Sequence, residues 1–409
     1  MTSPELAVLL YGRRVATLYQ DKNGRHELEY AADPGQTPLS LSLPLEQVRH
    51  GHRIVNAFLL GLVPDDSAVR ARIGDQFGVS GENPYALLEH IGLDCAGAVQ
   101  FCPPDQVEEV LARPGELCPV NEEQIADRLK QLRRTPSATW TLPQERWSLG
   151  GFQPKIALRQ VESGWAEAIG AEPTTHIFKP GIPALQQSAL NEHICLVTAR
   201  SLELRAVESQ YMEFDGEPTA IVTRYDRATN PEGGVVRIHQ EDFCQAFGQP
   251  PTRKYEDHGG PSALQILNLL GQTQPEAQTQ FIGYLAFNYL IGAPDSHAKN
   301  FSILHVGSDV RLAPVYDVAS ALPYEGLENA RFAFSIGGQR TFGALSDSNW
   351  AQLASKAGID AEQTVTIVHD IAERLPDALS DTIANPGLPS GDLAVRMLPA
   401  VARLCANSV

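Results

Sequence analysis

The sequence predicts an α+β protein of two lobes, strand-rich before about residue 226 and mostly helical after it. Two observations predict this. Trp147 to Asp226 alternates strand-like stretches with one helical stripe, after a first hundred residues that read as mixed α/β. After Phe243 the apolar residues recur at a spacing close to the helical repeat of about 3.6.

The elements follow in order. Leu6 to Tyr11 and Arg14 to Tyr19 predict a hairpin around Gly12-Arg13. Leu39 to Leu43 alternates Leu and Ser, which predicts a half-buried strand. Val55 to Leu62 is a compact apolar run that ends at Val63-Pro64-Asp65. Glu122 to Leu132 predicts a short helix, and the polar, proline-containing stretch Arg133 to Pro143 predicts a linker. Lys155 to Gln160, Thr175 to Lys179 and Ala220 to Arg224 predict strands, while Leu190, Ile194 and Val197 predict a helix. Later helices are predicted at Leu264–Leu270, Ala277–Ile291, Trp350–Ala357, Glu362–Leu375 and Leu393–Leu404. Phe301 to His305 and Val310 to Leu312 predict a hairpin across Gly307-Ser308-Asp309.

Composition bounds the function. The 409 residues, 43% of them apolar, suffice for two or three domains with real cores. No stretch of 18 residues is purely apolar, which argues against a transmembrane helix. Met1 to Tyr11 lacks the basic and apolar regions of a signal peptide. The six cysteines include no Cys-x-x-Cys pair and no zinc-finger spacing, so they predict reduced, buried thiols in a cytoplasmic protein. A net charge of −17 disfavours nonspecific nucleic-acid binding and suits a basic protein partner.

The chemistry centres on Asp295-Ser296-His297-Ala298-Lys299-Asn300. A nearly all-apolar helix, Phe281 to Ile291, is broken by Gly292 and Pro294 and delivers Asp295 to a fixed place. The predicted hairpin begins at Asn300 and returns the chain to Tyr316-Asp317. A phosphotransferase needs a carboxylate to orient the acceptor hydroxyl and oxygen ligands to hold Mg²⁺ on the phosphates. Asp295 fits the first role; Asn300 and Asp317 fit the second. Protein kinases use the same Asp-x4-Asn offset. Here Ala293-Pro294 stands in place of their His-Arg, and Val318-Ala319 in place of Phe-Gly. The same three residues also read as ordinary turn formers.

Ser148-Leu-Gly-Gly-Phe-Gln-Pro-Lys155 offers paired glycines whose N–H groups can approach phosphate oxygens. It also reads as a plain strand-entry turn. Lys179, at the end of its strand, is placed to meet phosphates as a point charge, with Glu192 on the next helix as its partner. Two solvated charges are the alternative. Thr223, Arg224 and Tyr225 suit either an adenine-binding connector between lobes or a simple linker.

Together these segments resemble the HipA family of bacterial toxin kinases over nearly the whole chain. The resemblance is carried by Ser148 to Lys155, Thr175 to Lys179, Thr223-Arg-Tyr-Asp-Arg227, Gln240-Glu-Asp-Phe-Cys-Gln245, Asp295-x-His-x-Lys-Asn300 and Tyr316-Asp317. Gly61-Leu-Val-Pro-Asp65 is similar to the family's N-terminal subdomain. The resemblance implies a protein-kinase-like fold. It implies an N-terminal subdomain at 1–105, the nucleotide-binding part of the N-terminal lobe at 106–226 and a helical catalytic lobe at 227–409. It implies ATP and Mg²⁺, with Asp295 catalytic and Asn300 and Asp317 on the metal. ATP would be held by Gly150, Gly151, Phe152, Gln153, Pro154, Lys155, Lys179, Thr223, Arg224, Tyr225, His297 and Lys299. It implies phosphorylation of a protein such as an aminoacyl-tRNA synthetase, and a HipB-like DNA-binding antitoxin through which DNA is met only indirectly. It also implies autophosphorylation at Ser148, which would expel the loop. Two other readings stay open on the residues alone: a small-molecule phosphotransferase, and a non-catalytic pseudokinase binding module.

Overall fold

The computed structural model describes residues 4–327 and 329–408. Met1 to Ser3, where the segment read as lacking a signal peptide begins, lie outside the described residues.

The predicted first hairpin is β1 (Glu5–Leu10) and β2 (Arg13–Gln20). Tyr11 and Gly12 both adopt positive φ, at 53° and 74°, as a tight turn matched to strand twist requires. With β3 (His26–Tyr30), β4 (Arg49–His50) and β5 (Val99–Cys102) they form an antiparallel sheet in the order β4-β3-β2-β1-β5. The apolar run after it is a helix, α1 (His52–Leu62). Its buried Val55, Phe58, Leu59 and Leu62 fall at helical spacing and share one core with Leu6, Val8, Leu18 and Leu28. Helices α2 (Ser67–Phe77) and α3 (Pro84–Ile91) complete this subdomain.

Two expectations fail here. Leu39 to Leu43 is a turn with a single bridge between Ser40 and Leu43, not a strand. Its alternation has another cause. Leu39 and Leu43 enter the core, while Ser40 donates to Glu241 at 2.5 Å and Ser42 to the Gln245 carbonyl at 2.7 Å. Arg133 to Pro143 is not a linker. It begins in the last turn of α4 (Glu122–Arg134), and its Trp140 and Thr141 are buried. Helix α4 itself is well specified. Asn121 and Gln124 form a reciprocal cap, Glu122 and Glu123 occupy the first turn, and Arg133 and Arg134 the last.

The second sheet comprises β6 (Gly115–Val120), β7 (Ile156–Val161), β8 (Gly164–Gly170), β9 (His176–Pro180), β10 (Ser209–Phe214) and β11 (Glu217–Thr223), in the order β10-β11-β9-β7-β8-β6. Side chains alternate between its faces. Ile221 joins the core that contains Ile125, Leu129 and Leu132 of α4. Val222, the next residue, packs instead with Leu196 of α5 (Ser188–Ser201). The strand-rich half thus carries helices as well as its two large sheets.

The second half is built from α6 (Ala263–Thr273), α7 (Glu276–Leu290), α8 (Asp347–Ala357), α9 (Ala361–Ile383) and α10 (Gly391–Ala406). Every residue of α7 from Phe281 to Leu290 is buried. The predicted hairpin is β13 (Ser302–Val306) and β14 (Asp309–Leu312), extended by β12 (His239–Asp242) into a three-stranded sheet.

Candidate active site

A cavity of about 630 Å³ lies where the end of α1, the second sheet and the helical half meet. Gly150, Gly151, Phe152, Gln153, Pro154, Lys155, Lys179, Thr223, Arg224, Tyr225, Asp295, His297, Lys299, Asn300 and Asp317 all line it. The fold therefore brings together segments that the sequence separates by well over a hundred residues.

Lys179 reaches the cavity through strand alternation. Phe178 points into the α4 core, so Lys179 projects from the opposite face, toward α5. There its ammonium lies 2.6 Å from Glu192 and 2.5 Å from Asp317. The expected Lys179–Glu192 pair is present, and both side chains are almost fully buried (8% and 6% exposed). Burial works against the charge on Lys179, but Asp317 and Glu192 outweigh it and hold the ammonium protonated. Burial would likewise raise Asp317; the Lys179 charge wins and holds it ionised.

Asp295 follows the rigid α7 through Gly292, whose φ is +74°. Its carboxylate is 65% exposed. It accepts a hydrogen bond from the Tyr255 hydroxyl and lies 3.7 Å from Nε2 of His297. His297 is buried, which pushes its pKa down to about 4 and leaves the ring neutral near pH 7. The Asn300 amide nitrogen donates to the Asp295 carbonyl at 2.7 Å, which fixes the loop and leaves the amide oxygen as the group suited to a hard cation. Asp317 sits at a positive φ of 56°, a strained backbone of the kind functional sites hold.

The glycine-bearing loop packs against the end of α1. Ser148 donates to the Leu62 carbonyl at 2.7 Å and is 1% exposed. In this arrangement its hydroxyl is sealed from any phosphate donor. Lys155 donates to the Gly150 carbonyl at 3.1 Å and lies 4.1 Å from the Trp140 ring centroid. Burial, with Lys179 nearby, lowers its pKa to about 7.

The connector already uses several of its polar groups within the protein. The Thr223 amide already donates to Glu208 (2.9 Å) and the Arg224 amide to Thr175 (2.8 Å). The Arg224 guanidinium is buried and already engaged, by Asp226 at 2.8 Å and by Thr174 and the Cys95 carbonyl. Those two amides and that side chain hold the connector in place and are not free for a nucleotide.

Three other lining groups were assigned no role from the sequence. Asp65, Asp242 and Lys254 reach the cavity from the end of α1 and from either side of a short helix. Burial raises Asp242 to about 7. Asp65 and Asp242 lay in segments already noticed, Gly61 to Asp65 and Gln240 to Gln245, whereas Lys254 lay in none.

Residues 147–379 match the HipA-like C-terminal domain, and residues 6–102 match the HipA N-terminal domain. The chain belongs to the HipA family. It is 34% identical to Y4mE of Sinorhizobium fredii over 93% of both proteins; the name of that relative assigns it to the kinases without giving a substrate. It is 29% identical to the serine/threonine-protein kinase toxin HipA of Shewanella oneidensis, over 85% of this chain and 81% of the relative. It superposes on HipA from the Shewanella oneidensis MR-1 complex of HipA, HipB and operator DNA with a TM-score of 0.82. That match has 26% identity and covers 98% of this chain and 96% of the other. The α+β, two-lobed, kinase-like fold is thus HipA's, and the chain is a kinase of this family. No helix among the described residues is long and apolar enough to cross a membrane.

Proposed function

We propose that this protein is an ATP- and Mg²⁺-dependent serine/threonine protein kinase of the toxin type, with 1–105, 106–226 and 227–409 as its functional units. The observation that carries the reading is the convergence of Lys179, Glu192 and Asp317 beside Asp295 and Asn300 in one cavity. It is the lysine–glutamate–aspartate arrangement that phosphoryl transfer needs to place phosphates.

The roles follow from the chemistry of each group. Asp295, exposed to the cleft and steadied by Tyr255, orients the acceptor hydroxyl and takes its proton. Lys179, Lys155 and the backbone of Gly150 to Pro154 bind phosphate oxygens. Asn300 and Asp317 supply the oxygen donors that suit Mg²⁺, which when bound would neutralise charge on the phosphates. Lys299 is the charge partner of the transferred group. Neutral His297 packs against Tyr255 and holds the loop.

The exposed Asp295 favours a protein side chain as acceptor. The partner is a HipB-like antitoxin, through which the chain would meet operator DNA, supported by the solved HipA relative in complex with HipB and DNA. Ser148 is the internal phosphoacceptor, and its burial means that it reacts only when the loop has left its seat. A dianionic phosphate there could not return beside the Leu62 carbonyl.

The test is phosphate transfer from radiolabelled ATP. Asp295→Ala and Asp317→Ala should each lower autophosphorylation and substrate labelling by about a hundredfold or more. Near-normal activity in either variant would overturn its role. Labelling of a small alcohol with no protein labelling would shift the acceptor to small molecules.

A further inference from the structure

The carboxylate of Asp65 comes from the N-terminal subdomain yet sits in the cleft. It lies 2.6 Å from Nζ of Lys299 and 4.0 Å from Nζ of Lys254. Its Oδ1 accepts from the Gly151 amide at 3.4 Å, and its own amide donates to the Gly151 carbonyl at 2.9 Å. The Asp65 and Lys299 side chains are 9% and 6% exposed. The seam continues on either side. Ser148 bonds to Leu62, and a Cβ on Gly150 would lie 2.7 Å from the Gly61 carbonyl oxygen. The glycine loop therefore lies flat along residues 61–65, with no room for a side chain at position 150.

We propose, resting on the kinase reading above, that Asp65 is a positioning residue that seats the Gly150–Lys155 loop and aims Lys299 into the cleft. The charge pattern supports this. Asp65 is the carboxylate shared by three lysines, Lys155, Lys254 and Lys299; Asp317 also acts on Lys155, and Asp242 on Lys299. Burial raises the pKa of Asp65, and the three ammonium groups more than reverse the effect. Without Asp65 the lysines repel one another at close range in a medium of low dielectric. They then have no common counter-charge until phosphate arrives. One carboxylate thus performs two tasks. Its charge holds Lys299, and its Oδ1 accepts the Gly151 amide, beside a backbone bond that any residue but proline at 65 keeps. The N-terminal subdomain acts through it as part of the phosphate site.

The two tasks separate by substitution. Asp65→Asn keeps a hydrogen-bond acceptor for Gly151 and loses the charge. Asp65→Ala loses both, and Asp65→Glu restores the charge. Two readouts are taken on the full-length protein: hydrogen–deuterium exchange of residues 149–155 without nucleotide, and kcat and KM for ATP. We expect Asp65→Ala to speed loop exchange about tenfold or more, with Asp65→Asn showing a smaller change. Both should lower kcat about ten- to a hundredfold, more than they raise KM, and Asp65→Glu should recover most of kcat. A purely structural carboxylate would give no such split and no recovery. Loop exchange and kcat within about twofold of wild type in a folded Asp65→Ala protein would overturn the proposal. If Asp65→Ala does not fold, the isosteric Asp65→Asn decides by the same criteria. An inactive wild-type protein would defeat the kinase reading alone, because loop exchange without nucleotide still decides whether Asp65 seats the loop.

Discussion

His239 shows how one buried residue ties stability to pH. It lies beneath the N-terminal subdomain, fully buried, with Nε2 3.0 Å from the Leu39 carbonyl. Burial first, and the neighbouring His305 second, lower its pKa to about 3. The unfolded chain takes up a proton on this ring near its ordinary pKa of about 6.5. The folded protein does not. Stability from this group is therefore intact above about pH 6.5 and falls as the pH drops toward 3. The expected slope is about 1.4 kcal/mol per pH unit between those limits. Urea unfolding at pH 7, 6, 5 and 4.5 checks it. His239→Gln should flatten the curve by about that slope, and parallel curves for the variant and wild type would refute the assignment. Lys155 has the complementary property. Its pKa of about 7 means that the unfolded chain holds one more proton between pH 7 and the usual lysine range. Its contribution to stability therefore rises with pH through that window. Neither shift is legible in the sequence, because histidine and lysine carry no mark of the burial that awaits them.

At the scale of elements, the helix–turn that presents Asp295 was readable in full. The apolar run predicted α7, and Gly292 with Pro294 predicted its end. The structure adds the reason for glycine. Its φ is +74°, and a Cβ there would stand 2.3 Å from Cγ of Leu322. Gly292→Ala should therefore destabilise the protein by about 1–3 kcal/mol through both strain and overpacking. It should also lower phosphate transfer by shifting Asp295. Denaturant unfolding and the kinase assay measure the two effects. Adding Leu322→Ala should recover part of the stability, whereas strict additivity would show that the clash is not the cause. The hairpin of β13 and β14 was equally clear, since Gly307-Ser308 punctuates two apolar strands. The Leu39 to Leu43 strand was misread because period-two alternation also arises when a turn buries its leucines and bonds its serines.

At the scale of the molecule, a buried charge network fastens the N-terminal subdomain to the connector between lobes. Asp94 meets Arg227 at 2.9 Å and Arg237 at 2.8 Å, and Arg224 at 3.4 Å. Asp226 meets Arg224 at 2.8 Å and Arg227 at 3.0 Å, and accepts from the Gly97 amide. Without Asp94, three guanidinium groups keep only one carboxylate, Asp226, and Arg237 loses its ion pair. Asp94→Ala should cost about 3–5 kcal/mol, read by urea unfolding. A loss below about 1 kcal/mol would mean that solvent enters and compensates. By itself the sequence determined most of the strands and helices, and it offered the loop from Asp295 to Asn300, Asp317 and the Lys179–Glu192 pair as candidates beside plainer readings. These rest on periodicity, turn chemistry and short spacings, which are local. Only the tertiary structure decided that Asp65 stands among the lysines, that the Arg224 guanidinium is engaged by Thr174 and the Cys95 carbonyl, and that Ser148 lies sealed beneath the end of α1. Those facts depend on contacts between residues far apart in the chain, and on burial, which sets the strength of every charge in the site and is a property of the packed molecule alone.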